Sequence, residues 1–244
     1  MKRFRSSVRF TASLLFAGLL CLVARADEKK AHSAVTPEPR DRQGWMERHE
    51  AMNARVKQGN VDLVFIGDSI TQGWEGSGKD VWAKHYGRRN AVNLGIGGDR
   101  TQHVLWRLDH GNLDGISPKL AVVMIGTNNS GDNTPEEIAD GVEAIVEKLH
   151  AKLPGTKVLL LAIFPRGENG QDAKRQVNQE ANERIAKLDD GERVRYLDIG
   201  PRFLQDDGTL TREIMPDLLH LSEKGYTLWA AAIESPVAEA LGKH

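Results

Sequence analysis

The sequence predicts an α/β fold, a parallel sheet covered by helices on both faces, and three observations predict it. Short, apolar, β-branched runs alternate strictly with segments of helical periodicity. No internal repeat, low-complexity tract or second composition regime interrupts that order after residue 41. The residues with chemical capability sit immediately after the apolar runs, where doubly wound sheets place their ligands.

The elements follow in order. Trp45, His49, Met52 and Val56 recur at helical spacing and predict an amphipathic helix that begins after Gly44 and ends near Gly59. Five runs then read as strands: "VDLVFI" (61–66), "AVNL" (91–94), "LAVVMI" (120–125), "KVLLLAI" (157–163) and "VRYLDI" (194–199). Helices are expected between and after them, near 79–86, 99–109, 135–152, 172–189 and 222–241. Residues 41–244 carry no internal repeat, low-complexity tract or change of composition, so they read as one domain. At 244 residues, 40% hydrophobic and 27% charged, the chain can bury one substantial core.

The first residues read differently. Lys2, Arg3, Arg5 and Arg9 form a basic start, 10–24 is an apolar stretch short for a membrane span, and Ala24-Arg25-Ala26 has the small-residue pattern of a cleavage site. Residues 1–26 are therefore expected to be a secretory signal peptide, with an uncleaved N-terminal anchor as the alternative. The expected location is periplasmic or extracellular, without stable membrane insertion after cleavage. The single cysteine, Cys21, lies inside this leader, so the cleaved chain would have no thiol for a disulfide or a nucleophile. Residues 27–40, "DEKKAHSAVTPEPR", are polar with two prolines and are expected to form a flexible lead-in. A net charge of −1 gives no electrostatic case for a nucleic-acid partner.

Four stretches carry the candidate chemistry. "GDS" follows the first strand, "GIGGDR" the second, "GTNN" the third, and "PDLLH" precedes the last helix. Singly, each has a structural reading. Asp68 or Ser69 could simply cap a helix, "GTNN" could be a turn, and "GIGGDR" lacks the last glycine of a dinucleotide fingerprint because Arg100 stands there. Together they supply a serine hydrolase. Ser69 is the candidate nucleophile, His220 its base, and Asp217, three residues earlier, the acid that orients the imidazole. Oxyanion donors would be the backbone N–H groups of Ser69 and Gly98 and the side-chain amide of Asn128. Asp68 reads as an acceptor for loop N–H groups. His85, His103, His110 and His150 lack metal-ligand spacing and read as surface or packing residues.

The Ser of "GDSI", the Gly of "GIGGD", the Asn of "GTNN" and the Asp and His of "DLLH" resemble the four blocks of the SGNH, or GDSL, hydrolase superfamily. The runs "NLGIGGDRTQHVLWRLDHGNLDGISPKLAVVMIGTNN", "FPRGE" and "HLSEKGY" resemble in particular the catalytic subunits of intracellular platelet-activating-factor acetylhydrolase. The likeness runs from about residue 44 to 240. It implies a three-layer α/β/α flavodoxin-like fold with a five-stranded parallel sheet, no metal or organic cofactor, and the site residues already named. Those relatives are cytosolic, whereas this chain opens on an apparent export signal.

The expectation is an exported serine esterase that cleaves short acyl esters, most simply acetyl groups on a carbohydrate, through an acyl-serine intermediate. Lysophospholipase, thioesterase or lipid deacetylase activity is the enzymatic alternative, and a glycan-binding protein on a hydrolase fold the non-enzymatic one. Ile70, Leu218 and Leu219, adjoining the nucleophile and the base, are expected to crowd the acyl group unless one or more points into the core, and Arg166 is expected either to touch a polar group of the substrate or to form a structural ion pair. The oligomeric state is left open, a homodimer included.

Overall fold

The computed structural model describes Met1 and residues 31–242. The leader expected over residues 1–26 therefore lies, apart from Met1, outside the described residues. Five strands form one sheet: β1 (Leu63–Gly67), β2 (Ala91–Gly95), β3 (Leu120–Met124), β4 (Lys157–Leu161) and β5 (Val194–Leu197). All pairings are parallel and the order is β2-β1-β3-β4-β5. Strand order reverses around β1, which pairs with both β2 and β3, and that reversal opens a crevice beyond their carboxyl ends.

The helices divide between the faces. Of the two core clusters, one joins Val64, Ile66, Val92, Leu94, Val123 and Leu160 to side chains of α1 (Trp45–Lys57), α4 (Thr101–Asp109), α5 (Pro135–Lys152) and α6 (Ala173–Ile185). The other joins Leu63, Phe65, Val122, Met124 and Leu159 to α2 (Ser69–Gln72), α3 (Lys79–His85) and α7 (Glu223–Leu241). Alternate residues of each strand thus serve opposite cores, which is why central strands such as β1 and β3 are apolar throughout. The flavodoxin-like three-layer architecture is present, with element ends that differ from the sequence reading by a few residues.

The lead-in is a correction. Instead of trailing freely, residues 31–40 lie against the domain. Ser33–Val35 forms a 3₁₀ turn with Ala34 fully buried, Thr101 Oγ1 donates to the Ala34 carbonyl at 2.8 Å, and Asn133 Nδ2 donates to Ser33 Oγ at 2.9 Å. Gly141 makes the close approach feasible, since a Cβ there would come within 2.7 Å of the Ala34 carbonyl oxygen. A polar, proline-containing segment can be held this way because backbone and side-chain hydrogen bonds replace the apolar burial it lacks.

Candidate active site

The carboxyl ends of β1, β2 and β3 are level, with Gly67 opposite both Gly95 and Met124. The chain after β1 turns at once into α2, which crosses the strand ends closely: a Cβ on Gly67 would run into Thr71 Oγ1 and the Met124 carbonyl, so only glycine fits. Asp68 is the helix cap, its Oδ1 accepting from the Ile70 N–H at 2.9 Å. Ser69 is therefore not a cap but the first helical residue, partly exposed, with a backbone N–H among the orphan donors of the first turn.

Ser69 Oγ lies 2.8 Å from His220 Nε2, and His220 Nδ1 lies 2.6 Å from Asp217 Oδ2. A carboxylate only accepts, so Nδ1 carries the proton, and Nε2 is left with the lone pair that faces the serine hydroxyl. The other Asp217 oxygen accepts from the backbone N–H groups of Leu219 at 3.1 Å and His220 at 2.7 Å, so one carboxylate shapes the turn and orients the ring. Burial pushes the Asp217 pKa up, but the hydrogen bonds from the His220 ring and backbone outweigh it, and the net result lies below the usual value. The acid is thus ionised at neutral pH.

The loop after β2 carries Gly98 in the left-handed region, at φ +79°. Its anchor is the next residue. Asp99 accepts from Trp45 Nε1 at 2.6 Å and from Arg107 Nε at 2.8 Å, both buried contacts. Asn128, after β3, reaches the same place: its Nδ2 donates to the Asp99 carbonyl at 2.9 Å and lies 3.5 Å from Asp68 Oδ2. Ser69, Gly98 and Asn128 are thereby brought to the mouth of adjacent strands.

Two further residues escape a reading by blocks. Gln72 Oε1 accepts from the Gly97 N–H at 2.7 Å, and Tyr226, on α7, donates its buried hydroxyl to the Ile70 carbonyl at 2.7 Å. The one signal for Gln72 is its spacing of three residues from Ser69, which puts both on one side of a helical turn. Asp68 is fully buried, and burial above all pushes its carboxyl up to about 7, with Asp99 adding to the rise and the Ile70 N–H and His220 opposing it.

The four expected substrate contacts divide. Ile70 is 1% exposed and packs in the core around Trp74 and Tyr226, so it does not line an acyl pocket; this corrects the expectation. Leu218 and Leu219 are half-buried and lean on the same core. Leu218 sits at φ +62° and its carbonyl accepts from the Gly167 N–H at 2.9 Å. Arg166 donates through Nη1 to the carbonyl and hydroxyl of Thr127, at 3.3 and 3.2 Å, with no ion-pair partner among the described residues. Of the histidines set aside, His103 is pushed down to about 4, by burial first and then by Arg40 and Arg100, and its Nδ1 accepts from the Arg100 N–H at 3.0 Å. Among the described residues no group of three His, Cys, Asp or Glu side chains is arranged to hold a metal ion.

The family model for the GDSL-like lipase/acylhydrolase family matches residues 65–228. The chain belongs to this family. Among curated relatives of this acylhydrolase, human platelet-activating factor acetylhydrolase IB subunit alpha1 is 39% identical over 220 residues, covering 88% of this chain and 93% of that one. Similar solved structures include a GDSL-like lipase from Bacteroides thetaiotaomicron, with a TM-score of 0.65, 22% identity, and coverage of 80% and 98%. A carbohydrate acetylesterase from Sinorhizobium meliloti has a TM-score of 0.58, 20% identity, and coverage of 73% and 99%. At such identities the two structures speak for the fold alone. The protein is an ester hydrolase of the GDSL type.

Proposed function

We propose that this hydrolase is an exported serine esterase that removes short acyl groups, acetyl foremost, from a carbohydrate. The observation that carries the catalytic part is the continuous line from Ser69 Oγ through His220 to Asp217, with contacts of 2.8 and 2.6 Å. Ser69 Oγ attacks the ester carbonyl carbon while its proton passes to His220 Nε2. The tetrahedral oxyanion is held by the N–H groups of Ser69 and Gly98 and the Asn128 amide, and collapses as Nε2 returns the proton to the departing alcohol. Water then attacks the acyl-serine with the same base, releasing the acid and restoring the serine hydroxyl. Asp217 stays ionised throughout and stabilises the imidazolium.

Export rests on the basic, then apolar, then small-residue pattern of the first 26 residues. Among the described residues no helix is long and apolar enough to cross a membrane. An exported enzyme meets acylated polysaccharides, which supports the carbohydrate reading. A lipid deacetylase is the second reading, favoured by the identity to the platelet-activating factor acetylhydrolase subunits. Esterase activity on p-nitrophenyl acetate, its loss in Ser69→Ala, and phosphonate labelling confined to Ser69 test the mechanism. Acetate release from acetylated glycans against release from an acetylated ether phospholipid decides the substrate. Full activity in Ser69→Ala would overturn the assignment.

A further inference from the structure

The geometry points to Arg40 as a positioning residue for the oxyanion hole, holding the Gly97–Gly98 peptide from its carbonyl side so that the opposite N–H faces the reacting ester. The inference rests on the reading of Gly98 as an oxyanion donor.

Arg40 Nη1 donates to the Gly97 carbonyl at 2.7 Å, and Arg42 Nη1 stands 3.5 Å from the same oxygen. That carbonyl and the Gly98 N–H belong to one planar peptide, which is trans, so they point in opposite directions. Gripping one fixes the other. The Gly98 N–H itself has no hydrogen-bond partner among the described residues.

The grip matters because this peptide lies between two glycines, the residues that restrict its rotation least. The unit before it is held by the Gly97 N–H on Gln72 Oε1 at 2.7 Å. Beyond it, the Asp99 N–H donates to the Ile96 carbonyl at 3.1 Å, and the Asp99 carboxylate is locked by Trp45 and Arg107. The bond from Asp99 to Ile96 closes a turn around the intervening peptide, whose own carbonyl is held by the arginines alone among the described residues. Arg40 also occupies the space a side chain at residue 98 would need, since a Cβ built there runs into its guanidinium. Glycine at 98 thus meets two demands, the positive φ and the room for Arg40.

The contact also acts electronically. A cation donating to a peptide carbonyl polarises the amide and makes its N–H a stronger donor, in a place where a developing negative charge is to be stabilised. Arg40 therefore contributes to the transition state without touching substrate. Its position depends on the docked segment 31–40, which gives that segment a functional role.

The test compares Arg40→Ala and Arg40→Lys with wild type on p-nitrophenyl acetate, alongside Asn128→Ala and denaturation midpoints. Arg40→Ala should lower kcat about tenfold or more, with KM within about twofold. Low concentrations of free guanidinium should restore part of kcat in Arg40→Ala and leave wild type unchanged. Arg40→Lys should fall between them, and is judged by the same split if the alanine variant does not fold. An unchanged kcat in Arg40→Ala, or a lower midpoint with normal turnover per folded enzyme and no guanidinium rescue, overturns the role. If Asn128→Ala and Ser69→Ala also keep full activity, the underlying oxyanion-hole reading has failed instead.

Discussion

Replacing Asp68 by asparagine should change how stability depends on pH, by an amount the structure sets. The carboxyl is fully buried and its pKa is raised from 3.8 to about 7, with burial as the largest cause. A carboxyl whose folded pKa lies above its unfolded one binds its proton more tightly when folded, so stability falls as pH rises between those two values and levels off above the higher. With about 1.36 kcal/mol carried by each pKa unit, the loss between about pH 5 and about pH 8 comes to roughly 2–3 kcal/mol. Asparagine retains an oxygen for the Ile70 N–H but cannot ionise, so the variant lacks this component. Urea unfolding of both proteins across that range measures it. The difference between the two curves cancels the titrations of groups that do not interact with Asp68. Wild type should lose ground to the variant steadily as pH rises. Parallel curves would refute the argument, because they would mean that Asp68 ionises as readily in the folded chain as in the unfolded one.

Asn128→Ala should lower kcat by roughly 10²–10³ with a smaller effect on KM, because the lost donor acts mainly on developing charge; steady-state kinetics on a p-nitrophenyl ester reads both. Ile70→Ala should destabilise the fold by roughly 2–5 kcal/mol through a core cavity, with acyl preference unchanged, whereas Leu219→Ala should raise relative activity on butyryl and longer esters. An ester series assayed beside denaturant unfolding separates the two effects. Tyr226→Phe removes the bond to the Ile70 carbonyl and should cost roughly 1–3 kcal/mol by leaving a buried acceptor unpaired, measurable in the same unfolding assay.

The strands were legible because β1 and β3 are buried on both faces and so read as unbroken apolar runs. The first three blocks were legible as a set because each directly follows a strand and the order β2-β1-β3-β4-β5 sets those three strands side by side, whereas the fourth stands just before α7. Ile70 was misplaced for a simple geometric reason. Adjacent residues in a helix are turned by about 100° from one another, so the residue beside a solvent-facing Ser69 is carried into the core. The docked 31–40 segment left no trace because its contacts are one buried methyl and a few hydrogen bonds to distant residues, which have no period. Arg40 was hidden for the same reason: its partner is a backbone carbonyl 57 positions away, and carbonyls carry no sequence signal.

The site is cross-tied before any substrate arrives. Tyr226, 156 residues from Ile70 in the chain, binds the helix that presents the serine to the helix that follows the histidine. Gly167 holds the turn between acid and base through the Leu218 carbonyl, and Trp45 and Arg107 hold the loop of Gly98 through Asp99. Asn128 shares that anchor through the Asp99 carbonyl. Under the proposed mechanism, the backbone N–H groups of Ser69 and Gly98, fixed in this way, need no reorganisation as charge develops, which is where electrostatic catalysis gains most. Loosening any one tie leaves the reacting groups present but displaced, so its effect should fall on turnover more than on binding.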